Sequence, residues 1–410
     1  MLARHAHPTI KKMGVCGYNQ ASFIICRCGV FIMTPPLAGI RVLDLTRLLP
    51  GGICTLMLAD LGAQVIKIES PVEGDYARWS PPLIDGMGAF FHATNRGKQS
   101  VILNLKDGAG CAALLKLVES ADVFVESFRP GVTARLGCDY ETLKAINPRL
   151  VYCAISGYGQ TGPDAQLSGH DLNYVALAGL IGEMNQPQVM GGQIADVGGA
   201  YTAVAGICAA LFRREKTGTG AFIDISMMEA ALPFVSYAWV EAVSGSQGES
   251  ELPRGVLSGR YACYNIYMTR DRKAVALAAL EPRFWGNFCN AIERPDLVAD
   301  YMKLSRQRYL QNEVAQTFGL RSLEEWDAIL LNADCCYSRV RSVHDLVSDP
   351  HIQARGSLDL GANGVPFMRS PIRIDGAEVR RGHVPTFGEH TFDVLRAAGF
   401  EQVEIEALLK

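Results

Sequence analysis

At 410 residues, with 49% apolar and 20% charged side chains, the chain is long enough for two domains around a sizeable buried core. Its net charge of −3 gives no whole-chain pull toward nucleic acid or an anionic membrane surface. Twelve scattered cysteines contain no C-x-x-C pair, so they read as small buried hydrophobes of a reducing, cytoplasmic setting and not as a metal site.

Residues 1–33 carry Arg4, Lys11, Lys12 and Arg27 and no acidic residue. The apolar stretch "ASFIICRCGVFIM" is interrupted by Arg27 and is too short to span a bilayer. Such a composition permits a transit segment. We prefer to read it as an upstream extension, with Met33 opening the chain proper.

From there strands and helices alternate. "GIRVLDL" is a short apolar strand, Pro50-Gly51-Gly52 a turn, and Ile53, Leu56, Met57 and Leu61 the buried stripe of a helix that Gly62 ends. "VIKIE", "SVILNL", "DVFVES" and "RLVYCAIS" follow as strands, with helices over "GAGCAALLKLVES" and "YETLKAIN" between them. Alternation of this kind predicts a parallel sheet covered on both faces, a Rossmann-like α/β domain. The glycines of "LLPGGICTL" do not form G-x-G-x-x-G, which argues against a dinucleotide pyrophosphate at the first turn.

"YTAVAGICAALFRREKTGTG" is a long apolar helix, and "GRYACYNIYMTRDRKAVALAAL" is a hairpin turning at Arg270-Asp271-Arg272. Ser322 and Glu325 form a capping box before "EEWDAILLN". We therefore expect a large domain over 34–227, a linker over 228–261, a smaller inserted α+β domain over 262–350, and a return to the large domain over 351–410.

"GHDLNY" sets His170 beside Asp171. Taken alone, such a pair after glycine is most simply a helix cap, and Asp196 before "GGA" is most simply an N-cap. Yet "LAGIRVLDL", "DLGAQVIKIE", "RGKQSVILNLK", "ADVFVESFRPGVTARLG", "SGYGQTGP", "GHDLNY", "IADVGGA" and "LEPRFW" occur in one order. Together they resemble the family III CoA-transferase superfamily (CaiB/BaiF type), and within it the α-methylacyl-CoA racemase branch. The resemblance runs from residue 36 to 410.

That resemblance implies an interlocked homodimer whose active sites are shaped by both subunits. It implies a coenzyme A thioester as substrate, with no permanently bound cofactor; the charge, cysteine spacing and composition lead us to expect no metal, no nucleic acid and no membrane. By motif position it implies His170, Asp196 and Glu281 as the racemase set and Asp171 as the transferase nucleophile. For coenzyme A it points to Arg96, Arg135 and Tyr174, with the strand at Leu103 offering backbone groups to an adenine. The chain departs from the pattern at Ser70, where racemases often carry arginine, and it lacks their D-G-G-A-P run.

The two chemistries make different demands. Racemisation needs two acid/base groups on opposite faces of a planar enolate, and a histidine with a carboxylate of raised pKa suits that. Glu281 would then orient His170. CoA transfer needs one carboxylate that attacks the thioester, and Asp171 alone could supply it.

Overall fold

The computed structural model describes residues 34–244, 255–360, 365–375 and 382–409. The reading of residues 1–33 lies outside them.

Six strands form the main sheet: β1 (Arg41–Asp44), β2 (Gln64–Glu69), β3 (Gln99–Ile102), β4 (Val123–Glu126), β5 (Val151–Ser156) and β6 (Ala221–Ser226). Their order is β3-β2-β1-β4-β5-β6 and every neighbouring pair is parallel. Alternate residues feed two separate cores. Val42, Val65, Val125 and Cys153 point to one, and Leu43, Ile66, Phe124 and Tyr152 to the other. Both faces are dry, which is why these strands read as continuous apolar runs.

Helix α1 (Leu48–Asp60) covers the first face through Cys54, Met57 and Leu58, and α2 (Gly108–Val118) covers the second through Ala113, Leu114 and Leu117. Gly62 follows α1 at φ 105°, as the sequence suggests. Pro50-Gly51-Gly52 is not a turn, however; it lies inside the first turns of α1. Proline is tolerated there because the early N–H groups have no helical acceptor. A Cβ on Gly51 would stand 2.1 Å from Thr46, so the glycine serves close packing.

Next come α3 (Asp171–Leu177) and the long α4 (Ile194–Thr217), which lays Ala200, Ala203, Val204 and Ile207 on the first core. By length and composition α4 could cross a membrane; in the fold it packs against α1, β5 and β6. Strand β6 was not foreseen. Its sequence "AFIDIS" mixes exposed Phe222 and Asp224 with buried Ile225, as an edge strand does. Within the span expected as a linker, Ser236–Val243 form helix α5.

The expected hairpin is β7 (Tyr264–Met268) with β8 (Ala274–Ala278), extended by the unforeseen β9 (Tyr337–Arg339) into a three-stranded antiparallel sheet. Helices α6 (Pro282–Ala291), α7 (Gln307–Phe318) and α8 (Leu323–Leu330) pack Trp285, Phe288, Phe318 and Trp326 into a third core with it. The Ser322 box opens α8: Glu325 N–H donates to Ser322 Oγ (3.4 Å) and Ser322 N–H to Glu325 Oε2 (2.6 Å). The chain then returns to the β3 edge. There His390 N–H donates to Ser100 O (2.9 Å) and Arg78 Nη1 to Pro385 O (3.0 Å), before α9 (Thr391–Ala397) and α10 (Gln402–Leu408) close the second core.

Candidate active site

The strand order reverses between β1 and β4, and the crevice beyond their carboxyl ends is where parallel sheets bind ligands. Two adjoining cavities open there, of about 670 and 580 Å³. Gly169, His170, Tyr174, Ser127 and Met227 line both, and Asp171 and Asp196 line the larger.

A buried charge network braces the β1 side. Asp44 accepts from Thr46 N–H (2.9 Å), Thr46 Oγ1 (2.6 Å), Thr55 Oγ1 (2.6 Å) and Lys98 Nζ (3.2 Å). Burial alone would raise its pKa; Lys67 and Lys98 outweigh that and hold the carboxylate low. Lys67 Nζ in turn donates to Thr46 O (2.8 Å) and pairs with Asp75 (2.8 Å). This fixes the turn that delivers Arg47 and Leu48 to the larger cavity. Leu48 sits at φ 60°, a conformation costly for a side chain with a Cβ, and Asp75 Oδ1 accepts its N–H (3.3 Å).

Glycine precedes His170 for a steric reason. A Cβ on Gly169 would lie 2.7 Å from the Tyr158 hydroxyl and 2.7 Å from the Tyr174 ring. Tyr174 donates its hydroxyl to Gly169 O (2.6 Å), so the phenol anchors the turn while its ring faces both cavities. Burial first, then Asp196, pushes that phenol up to about 12.

His170 is the N-cap residue of α3 and is exposed; its N–H donates to Asn173 Oδ1 (3.1 Å). Asp171 opens α3, but its carboxylate caps a different helix. Oδ1 accepts Ala195 N–H (2.7 Å) and Asp196 N–H (3.0 Å) at the start of α4. Asp196 is therefore not the N-cap its sequence position suggested. It is the third residue of α4, freed to face the cavity. Burial first and then the Asp171 charge raise its carboxyl to about 6, against the lowering effect of His170. A carboxyl there exchanges protons near neutrality.

Four expected residues stand elsewhere. Arg96 is buried and its guanidinium holds Asp60 at both ends (2.5 and 2.6 Å), with Phe367 beneath it, an internal ion pair. Leu103 is buried in the second core and its N–H donates to Glu69 O (2.9 Å). Arg135 is exposed and lines neither cavity. Glu281 is the N-cap residue of α6, and within one chain no hydrogen bond or ion pair joins it to His170. Among the described residues, the lysines and arginines that line the two cavities are Arg47, after β1, and Arg129, after β4. Their positions just past the ends of two adjacent strands are the sequence signal that points to them.

One His/Glu group among the described residues has metal-binding composition: His383, Glu389 and His390 at the β3 edge. His390 Nδ1 accepts Ser100 N–H (3.3 Å), which leaves the proton of the neutral ring on Nε2, the nitrogen that faces Glu389. That tautomer does not suit a ligand.

Residues 37–391 match the sequence profile of CoA-transferase family III. The chain belongs to that family. The family III fold also recurs in a solved CaiB/BaiF family protein from Brucella suis, 30% identical, with TM-score 0.77 over 89% of this chain and all 100% of the other. A succinate–glutarate CoA-transferase of Agrobacterium fabrum is 33% identical over 90% of this chain and 97% of its own length. A human α-methylacyl-CoA racemase is 31% identical over 91% and 96%. Family III thus includes both chemistries that the His170–Asp171 pair raises, and its members are enzymes that use CoA thioesters.

Proposed function

We propose that this family III enzyme racemises 2-methyl-branched acyl-CoA thioesters through an enolate. The observation that carries the reading is Asp196, raised to about 6 in the same cavity as His170. One of the two removes the α-proton, the electrons move onto the thioester carbonyl, and the other returns a proton to the opposite face. Reversal exchanges their roles. Similarity to the human α-methylacyl-CoA racemase supports this. Arg47 and Arg129 are the cations we assign to the CoA phosphates, with Tyr174 as a wall of the thioester channel.

A second reading is CoA transfer to a free carboxylic acid, and one observation favours it. Attack by Asp171 on the thioester breaks the C–S bond and gives a mixed anhydride with CoA thiolate. The thiolate then adds to the Asp171 carbonyl and expels the first acid, and a second acid reverses the sequence. When thiolate adds, negative charge develops on an oxygen of Asp171, and Oδ1 already faces two backbone N–H donors. Similarity to the succinate–glutarate CoA-transferase supports this path.

We also propose that the working unit is a homodimer in which Glu281 of a second copy reaches His170. Large exposed apolar side chains on α4 and on the segment around α5, among them Tyr201, Phe212, Phe234, Trp239 and Val243, suit burial against such a copy. We retain 34–227 with 351–410 as the CoA-binding domain and 262–350 as the smaller one. The free cysteines suit a reducing compartment, for which we propose the cytoplasm.

The test is α-proton exchange with (2R)- and (2S)-2-methylacyl-CoA in deuterated water without free acid. Deuterium entering at C2 with loss of configuration establishes racemisation. No exchange, followed by CoA movement once carboxylic acids are added, assigns the site to Asp171.

A further inference from the structure

A third cavity, of about 750 Å³, lies between the Leu180–Met190 segment and the β7–β8 sheet. Met190 lines both it and the catalytic cavity, so an acyl group whose thioester sits at His170 can extend past Met190 into it. Its walls are of two kinds. Leu180, Phe234, Ile266 and Leu277 supply apolar surface, while Asn185, Gln186, Gln188 and Asn265 supply uncharged amides.

Glu183 is the one charged side chain among the described lining residues. Its Oε2 is buried and has no hydrogen-bond partner among them. Glu183 thus gives the lining its one acidic side chain, and no described lysine or arginine lines it to receive an anion. A ligand carrying a distal carboxylate would place like charges together in a half-enclosed, amide-lined space. One carrying a hydrogen-bond donor would meet the amide side chains of Asn185, Gln186 and Gln188, which can accept it.

We propose that this cavity is the acyl-group subsite, and that it selects acyl chains ending in a hydrogen-bond donor, a hydroxyl or an ammonium, against chains ending in a second carboxylate. The assignment rests on the acyl-CoA reading of the catalytic cavity and deepens it by naming the substrate class.

The experiment compares the dissociation constants of four five-carbon thioesters: pentanoyl-CoA, 5-hydroxypentanoyl-CoA, 5-aminopentanoyl-CoA and glutaryl-CoA. The wild-type protein is expected to bind the hydroxy or amino compound on the order of tenfold more tightly than glutaryl-CoA. The hydroxy and amino arms separate a neutral donor from a cationic one. E183Q is expected to bring glutaryl-CoA close to pentanoyl-CoA. I266W fills the cavity from β7 and is expected to weaken pentanoyl-CoA while sparing acetyl-CoA. Thermal melts verify that both variants are folded. Glutaryl-CoA binding as tightly as the donor-bearing compounds, or I266W leaving pentanoyl-CoA unaffected, overturns the subsite and leaves the acyl-CoA reading intact. Failure of all four thioesters to bind overturns both.

Discussion

Asp171 Oδ1 accepts the backbone N–H of Asp196 at 3.0 Å, and the same Asp171 charge helps raise the Asp196 carboxyl to about 6. One carboxylate thus fixes where α4 begins and how readily its neighbour takes a proton. The pair explains why both acids stand in the cavity: Asp171 Oδ1 is engaged by the helix start, and Asp196 is the carboxyl raised toward neutrality.

For racemisation, the competent enzyme carries one proton shared between His170 and Asp196. The kcat/KM profile should therefore be a bell whose acid limb lies near 6, well above the ordinary aspartate range. Both enantiomers should follow one bell, because their interconversion constant is near unity. D196N should lose interconversion by on the order of a hundredfold or more, while C2 deuterium exchange persists for a single enantiomer through His170. Stopped-assay polarimetry with mass spectrometry reads both, and persistence of exchange in both enantiomers would remove Asp196 from the mechanism.

Asp171 has two jobs that substitutions separate. D171A removes the acceptor for two N–H groups and should cost about 1 kcal/mol of stability. D171N keeps an acceptor oxygen and should melt within a degree or two of wild type, yet it cannot form an anhydride. If transfer is the reaction, D171N abolishes it; if racemisation is, D171N retains much of it with the acid limb moved down, because a charge that raises Asp196 is gone. Thermal melts and the pH profile of D171N distinguish these outcomes.

Much of this was legible in the sequence, for physical reasons. Strands β1 to β5 are buried on both faces and cannot hide their apolar runs, whereas β6 is an edge strand whose Phe222 and Asp224 break the pattern. Within the site, His170, Asp171, Tyr174 and Asp196 converge as their motifs imply. What capped α4 was not legible, since the capping oxygen comes from a residue 24 positions upstream of Ala195. The burial of Arg96 was not legible for the same reason: a lone arginine reads as exposed until the fold brings Asp60, 36 positions away, against it.

Arg96 and Arg47 should therefore fail in opposite ways. R96A leaves Asp60 charged and unpaired at a buried site, which should cost about 3–5 kcal/mol while the folded fraction binds CoA thioesters normally. R47A loses only a hydrogen bond to the Tyr76 hydroxyl (2.7 Å) and a stacking contact, so its melting point should hold while CoA affinity falls about tenfold. Calorimetric titration with free CoA beside a denaturant melt reads both variants, and weakened CoA affinity in stable R96A would restore it to the phosphate grip.

Glu126, at the end of β4, gives the fold a pH dependence of its own. Burial raises its carboxyl from 4.5 to about 7, although Phe128 N–H donates to it (2.7 Å) and favours the ionised form. Because the folded value exceeds the unfolded one, the native state binds the proton more tightly between the two. The favourable contribution is complete below pH 4.5 and is lost as pH rises through about 7. The loss is on the order of 3 kcal/mol at full ionisation. E126Q removes that titration, so its stability relative to wild type should rise between pH 5 and pH 8. Urea melts across this range check the sign: parallel curves for the two proteins would mean that Glu126 does not titrate there. The same hydrogen bond shapes the Ser127–Pro130 turn that lines the smaller cavity, so E126Q should also flatten any change in CoA-thioester KM over that interval.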